Sequence, residues 1–339
     1  MQKEGVVFIG ADFHGQASEM NYRIAKIISR FFETDNVFLS FKINKPAHKT
    51  DQNTIILPKN KLVAFFLLKK EILNQTLKGK KIFFFFLSGK PLPKIMIFIF
   101  IRLLGGKVVN VLSSKPSIAR KFANMNIFYS KSSTQKYFSD NSFYLTPINT
   151  LPKRKISNKK YCLFASVPLD TAHLKSRGIL DLINLFGKKD CSQQLVILNR
   201  NQTVSKTLKK HIQTVAKPQN ITLINKSLSN NTLASYYVAS NIIIIPFKNG
   251  VFPQSPMSII EALAYGKPTI STKNHLSKLI ASTNAGFEIK NLEEIPHLID
   301  KINKNYSKYS KNAKALCKKE FQMHEFENNL KTIQNFLFN

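Results

Sequence analysis

At 339 residues, 43% apolar and 21% charged, the chain is too long for one compact core of ordinary size and too apolar to be disordered. Cys162, Cys191 and Cys317 lie far apart, which excludes a disulfide framework and a cysteine metal cluster and fits a reducing cytoplasm. Fifty-one basic against nineteen acidic residues give a formal charge of +32 and point to an anionic partner: membrane surface, nucleic acid or phosphorylated substrate.

The opening MQKEGVVFIGAD runs directly into a strand, so no signal peptide is expected. Gly5–Asp12 is a buried strand, and Ala17–Phe32 has helical spacing at Met20, Ile24, Ile27, Ile28 and Phe31. Strands are expected at Asn36–Phe41, Thr54–Leu57, Lys81–Leu87, Lys107–Leu112 and Ile127–Ser130. Lys94–Leu104 reads as a helix stopped by Gly105-Gly106. At Thr146–Lys160 two prolines and five basic residues interrupt the pattern and mark a linker.

The alternation then resumes. Strands are expected at Tyr161–Ser166, Gln194–Leu198, Ile221–Ile224, Asn241–Pro246 and Pro268–Ser271. Helices are expected at Gly178–Phe186, Val204–Val215, Asn231–Ala239 and Met257–Tyr265, with Leu292–Leu337 helical throughout. Strand, helix, strand in series predicts an α/β architecture of two Rossmann-like, doubly wound parallel-sheet lobes with a ligand cleft between them. The expected division is an N-terminal lobe at 1–150, a C-terminal lobe at 151–320 and a last helix at 321–339 that packs back on the first lobe.

The basicity has two readings. Lysine supplies 44 of the 51 basic residues beside abundant Asn, Ile and Phe, the residues an AT-rich coding sequence favours. The excess is also even, +15 over 1–150 and +17 over the rest, so no nucleic-acid tail is present and a nucleic-acid partner is disfavoured. The functional reading is peripheral contact with anionic lipid at the inner face of the membrane. Lys69-Lys70, Lys78–Lys81, Lys90, Lys94, Arg102 and Lys107 flank the apolar stretches Leu62–Leu68, Ile82–Leu87 and Ile95–Leu104. The compositional reading makes those stretches wholly internal. Neither needs a transmembrane helix: Ile95–Ile101 is well short of the ~20 residues a span requires.

Residues 241–271, NIIIIPFKNGVFPQSPMSIIEALAYGKPTIS, carry the functional argument. A buried strand ends at Pro246, and a loop leads to Ser255 as N-cap and Pro256 as first helical residue. The helix stops at Gly266, before Pro268 and another strand. Its N-terminus therefore opens at the carboxyl end of a parallel strand, where free N–H groups and the positive dipole end suit a phosphate. Glu261 lies one to two turns in. Its carboxylate suits a cis-diol such as ribose, against the plainer reading of a solvated helix glutamate.

This segment resembles the retaining GT-B glycosyltransferases of family 4. Glu261–Pro268, EALAYGKP, matches the family's E-A-x-A-x-G-x-P at every fixed position. FIGADFHGQASEMNYRIAKII, FASVPLDTAHLKSRGILDLINLF, SNNTLASYYVASNIIIIPF and STNAGFEI are similar to the family's other landmarks, in this order along the chain. The resemblance implies a cytoplasmic, metal-independent, hexosyltransferase-like enzyme. It would move sugar from a UDP- or GDP-linked donor to an acceptor in polysaccharide, glycolipid or cell-surface glycan synthesis, with no other cofactor. It makes Glu261 the ribose ligand and Arg177 the residue on the donor pyrophosphate, with Lys175 or His173 as basic companion. Gln254, Ser255, Pro256 and Met257 would face the sugar and phosphates, and Gly15 would let the first-lobe backbone approach the donor.

Two departures fall on sugar recognition. Pro253 stands where the family has its first motif glutamate, and Ser113-Ser114 where it commonly has a histidine. Two alternatives follow: a catalytically weakened nucleotide-sugar-binding protein, or an epimerase of the same fold, for which no acid–base pair stands out. His14 is a further active-site candidate. His211, His275, His297 and His324 lack metal-ligand spacing, and Phe83–Phe86 reads as sheet core.

Overall fold

The computed structural model describes residues 5–11, 20–32, 36–41, 53–58, 60–87, 91–112, 117–136, 139, 141–153, 161–166, 171–189, 191–199, 201–248 and 256–338. Residues Met1–Thr146 and Met323–Asn339 form one compact unit, and Pro147–Gln322 form a second.

The first unit runs β1 (Gly5–Ala11), α1 (Met20–Phe32), β2 (Asn36–Phe41), β3 (Thr54–Leu57), α2 (Lys61–Leu77), β4 (Lys80–Phe85), α3 (Pro91–Leu103), β5 (Lys107–Leu112), β6 (Met125–Phe128), α4 (Lys131–Lys136) and β7 (Ser142–Tyr144). The second runs β8 (Cys162–Phe164), α5 (Thr171–Ser176), α6 (Ile179–Phe186), β9 (Leu195–Asn199), α7 (Gln202–Gln213), β10 (Ile221–Asn225), α8 (Asn230–Ala239), β11 (Ile242–Ile245), α9 (Met257–Ala264), β12 (Thr269–Thr272), α10 (Ser277–Ser282), β13 (Gly286–Ile289), α11 (Ile295–Lys304) and α12 (Tyr306–Glu320). The last helix, α13 (Met323–Phe338), belongs to the first unit.

Each unit has one parallel sheet, ordered β3-β2-β1-β4-β5-β6-β7 in the first and β10-β9-β8-β11-β12-β13 in the second. In both the chain starts mid-sheet, winds to one edge and returns to wind to the other. The reversal falls between β1 and β4, and between β8 and β11, where doubly wound sheets bind ligands at the carboxyl ends of their strands.

The alternating pleat of the first sheet feeds two cores. Val7, Ile9, Phe83 and Phe85 pack with Ala64, Leu68 and Ile72 of α2 and Ile97, Phe98 and Ile101 of α3. On the opposite face Phe8 stacks between Phe38 and Phe84 at 5.1 and 5.3 Å, and Phe32 of α1 meets Phe84 at 5.8 Å and Phe338 of α13 at 5.9 Å. The Phe83–Phe86 run is thus sheet core. Fully burying each such ring contributes about 1.5–3 kcal/mol. Asn329 of α13 accepts hydrogen bonds from the backbone N–H and hydroxyl of Thr146 at 2.9 and 2.8 Å, and Phe336 meets Phe143 at 5.0 Å.

Two expectations needed correction, and one helix went unassigned. Leu292–Leu337 is not one continuous helical stretch: after a short 3-10 turn it forms α11, α12 and α13, with breaks at Asn305 and at Phe321–Gln322. Residues 61–77, of which only Leu62–Leu68 was singled out, as an apolar stretch, form the 17-residue helix α2, opened by Asn60, whose side chain accepts from the N–H groups of Leu62 and Val63. Of the three apolar stretches, residues Ile82–Phe86 are buried, but the other two are not wholly internal, because α2 and α3 keep large apolar side chains exposed.

Candidate functional site

The site candidates of the second unit gather around β11 and the elements that follow and flank it. Gly178, between α5 and α6, has φ +65°, and a Cβ there would overlap the carbonyl oxygen of Pro246 just past β11. Only glycine tolerates both conditions. The backbone N–H of Lys248 donates to the Ser176 carbonyl at 2.8 Å, tying the turn to the loop after β11. Arg177 is therefore carried to the β8/β11 reversal. Its Nη1 donates to Ser166 Oγ, just beyond β8, at 2.5 Å. Its guanidinium carbon lies 5.9 Å from the centroid of Phe247, a buried ring two residues past β11. This cation–π contact and the hydrogen bond orient a permanent positive charge at the carboxyl ends of two central strands.

Glu261 is the fifth residue of α9 and only 4% exposed, so the reading of a solvated helix glutamate is overturned. Tyr237 of α8, fully buried, donates its hydroxyl to Glu261 Oε2 at 2.6 Å. The Tyr237 ring stacks on Tyr265 at 5.9 Å with 15° between planes, and the Tyr265 hydroxyl donates to the Pro152 carbonyl at 2.5 Å. The carboxylate is thus held in one orientation through a chain of contacts reaching the start of the unit. Two residues beyond the stop glycine's tyrosine, Lys267 is also buried and donates to the Val238 carbonyl at 2.7 Å. Burial, with the nearby Lys314 adding to it, draws its ammonium down to about 8.

At the start of α9, Pro256 stands at the N-cap position, not at the first helical position as expected. Its carbonyl accepts from the Ile259 N–H at 2.9 Å, which makes Met257 the first helical residue. Pro256 is buried and Met257 half-buried. The N–H groups of Met257 and Ser258 are the first of the helix and have no intrahelical acceptor by geometry. Lys175 is exposed on α5, and the half-buried His173 accepts the Arg177 N–H at its carbonyl, 3.0 Å. Gly15, Gln254 and Ser255 lie outside the described residues, as do His14, Ser113, Ser114 and Pro253.

The sequence reading overlooked Tyr237, Ser166 and Phe247. Tyr237 had a signal, because it is one of two tyrosines in the helix of SNNTLASYYVASNIIIIPF, a stretch similar to a landmark of the resembling family. Ser166 and Phe247 fall in such stretches too, but their contact with Arg177 depends on which strand ends the sheet brings together.

Two parallel, doubly wound sheets in separate units, with these strand orders, are the GT-B glycosyltransferase fold. Residues 156–319, nearly all of the second unit, match the family model of glycosyl transferases group 1. No curated protein matches the chain in sequence. Among solved structures, the chain is similar to sucrose-phosphate synthase from Thermosynechococcus elongatus, with 14% identity and a TM-score of 0.74 over 99% of both chains. It is also similar to HepE from Anabaena, solved with UDP-glucose, with 13% identity and a TM-score of 0.72 over 97% of this chain and 99% of that one. WaaG, a glycosyltransferase of lipopolysaccharide biosynthesis, aligns with 10% identity and a TM-score of 0.65 over 98% of this chain and 99% of its own.

Proposed function

We propose that the chain transfers a glycosyl group from a nucleotide-activated sugar, UDP- or GDP-linked, to an acceptor hydroxyl with retention of configuration and without a metal. The observation that carries this reading is Arg177, fixed by Ser166 and Phe247 at the strand reversal of the unit that matches the glycosyltransferase model. As the bond from the sugar's anomeric carbon to the diphosphate breaks, charge grows on the leaving oxygens, and a preoriented guanidinium stabilises it. The first N–H groups of α9 add partial positive charge on the same groups. Glu261, steadied by Tyr237, receives the ribose hydroxyls. The acceptor oxygen bonds the anomeric carbon from the face the diphosphate leaves, and its proton passes to the departing phosphate oxygen. The protein then supplies position and charge, with no nucleophile of its own. HepE with UDP-glucose supports the donor class, and WaaG supports a lipid-linked or cell-surface glycan acceptor.

The test is a thermal-shift and calorimetric panel of nucleoside diphosphates and nucleotide sugars. A ligand at 100 times its Kd adds about 2.7 kcal/mol to stability. Arg177→Ala and Glu261→Ala are each expected to weaken the best ligand by roughly 1.5–3 kcal/mol, while Lys209→Ala on α7 leaves affinity unchanged. A flat panel removes the reading. Tight binding with no release of nucleoside diphosphate in the presence of acceptors favours the alternative of a nucleotide-sugar-binding protein, which Pro253 motivates.

A further inference from the structure

Thirteen of the fifteen exposed large hydrophobic side chains among the described residues lie between Ile55 and Ile118 of the first unit. Most belong to α2 and α3, which pack side by side on one face of the sheet. At about 100° per residue, Leu62, Phe66, Leu73 and Leu77 of α2 fall within roughly 60° of arc, nearly opposite the buried Ala64, Leu68 and Ile72. Leu92, Met96, Ile99 and Leu103 of α3 do the same, at spacings of four, three and four, opposite Ile97, Phe98 and Ile101. Because the buried stripes of both helices contact the same sheet face, both outer stripes point away from it, in one direction. Leu77 and Leu103 are 78% and 80% exposed, far beyond what scattered surface leucines need.

The charge around these stripes has one sign. Between residues 59 and 122 the sequence has fourteen basic residues and one acidic residue, Glu71, whose carboxylate accepts from Gln75 at 2.5 Å. Lys61, Lys70, Lys78, Lys81, Arg102 and Lys121 are exposed. Lys80 is not part of this surface, although the sequence places it there: it is 5% exposed and its stem lies across Gly5. Lys94 is likewise turned inward, donating to the Leu87 carbonyl at 2.8 Å and lying 5.6 Å from the Phe98 ring centroid.

We propose that the outer face of α2 and α3 docks on an anionic lipid bilayer. Apolar stripes entering the headgroup boundary with lysines at their edges are the chemistry of a peripheral membrane surface. A second copy of this face would bring two strongly basic surfaces together, and among the described residues no helix is long and apolar enough to cross a membrane. The contact goes beyond the glycosyl-transfer reading and is measured without nucleotide, so either can fail alone.

The experiment is co-sedimentation of the full chain with vesicles of phosphatidylcholine alone or of equimolar phosphatidylcholine and phosphatidylglycerol. The chain pellets with the anionic vesicles at low salt, stays in solution with the zwitterionic ones, and is released as salt shortens the Debye length. Lys70→Gln, Lys78→Gln and Lys81→Gln together lower partitioning on the order of a hundredfold. Phe66→Ser with Leu103→Ser lowers it at least about tenfold and leaves the thermal midpoint unchanged, since both side chains are exposed. Retention in the supernatant with anionic vesicles overturns the proposal. So does equal binding to both vesicle types, or a dimer that the Phe66→Ser, Leu103→Ser chain splits while vesicle binding is unaltered.

Discussion

The Tyr237–Glu261 hydrogen bond is the most exacting test of how the second unit holds its candidate ligand carboxylate. Tyr237→Phe removes one oxygen and nothing else: the ring keeps its burial and its stacking on Tyr265 at 5.9 Å. The lost contact is a 2.6 Å bond to a carboxylate on a residue only 4% exposed, where water replaces the donor poorly. A hydrogen bond to a charged group in such a place contributes roughly 1.5–3 kcal/mol, so the substitution is expected to cost about 2 kcal/mol. Glu261→Gln keeps the shape and an acceptor oxygen, and should cost less. Glu261→Ala removes the carboxylate altogether, so in the double variant the tyrosine hydroxyl has nothing left to lose. The assay is urea unfolding of Tyr237→Phe, Glu261→Ala and the pair, with unchanged m-values confirming that only stability moved. Residues in direct contact should show a coupling of about 1–2 kcal/mol. Additivity within roughly 0.5 kcal/mol would refute the reasoning, because it would mean that the two groups do not stabilise one another.

Two further outcomes concern the same unit. Gly178→Ala forces a side chain onto a backbone at φ +65° and against the Pro246 carbonyl, so it is expected to destabilise by at least about 2 kcal/mol and to weaken nucleotide binding through Arg177. An unchanged denaturation midpoint would show that the turn is not strained in this way. Lys267 has a folded-state pKa of about 8 against 10.5 unfolded, so between those values the unfolded chain binds the extra proton and stability rises with pH. The buried charge is fully costly below about 8 and is relieved toward 10.5, so the wild type should gain stability relative to Lys267→Met across that window; a difference independent of pH would contradict the burial argument.

The parallel-sheet architecture was legible because its signals are local. Buried parallel strands read as continuous apolar runs such as VVFIG, IFFFFL and NIIIIP, and the helices between them show one apolar stripe or a terminal glycine. The helix carrying Glu261 was legible for the same reason, bounded by Pro256 and Gly266, apart from a one-residue shift at its start. α2 was not assigned as a helix because its sequence is apolar on both faces, and a helix without a polar side has no period to read.

By itself the sequence determined the central strands and most of the long helices, though not α2, β7 or β13, and which short motif resembles a nucleotide-sugar site. Only the tertiary structure decided what those segments present to one another. Tyr237 meets Glu261 across 24 residues, and Arg177 settles over Phe247 because β8 and β11 are neighbours in the sheet. Lys80 is buried while Lys78 and Lys81 are exposed, and the second apolar stripes of α2 and α3 face outward together. Strand and helix formation depend on the period of nearby side chains. Contact and exposure depend on which distant elements the sheet order brings alongside, and the strand reversal that sets that order is written in no single stretch of sequence.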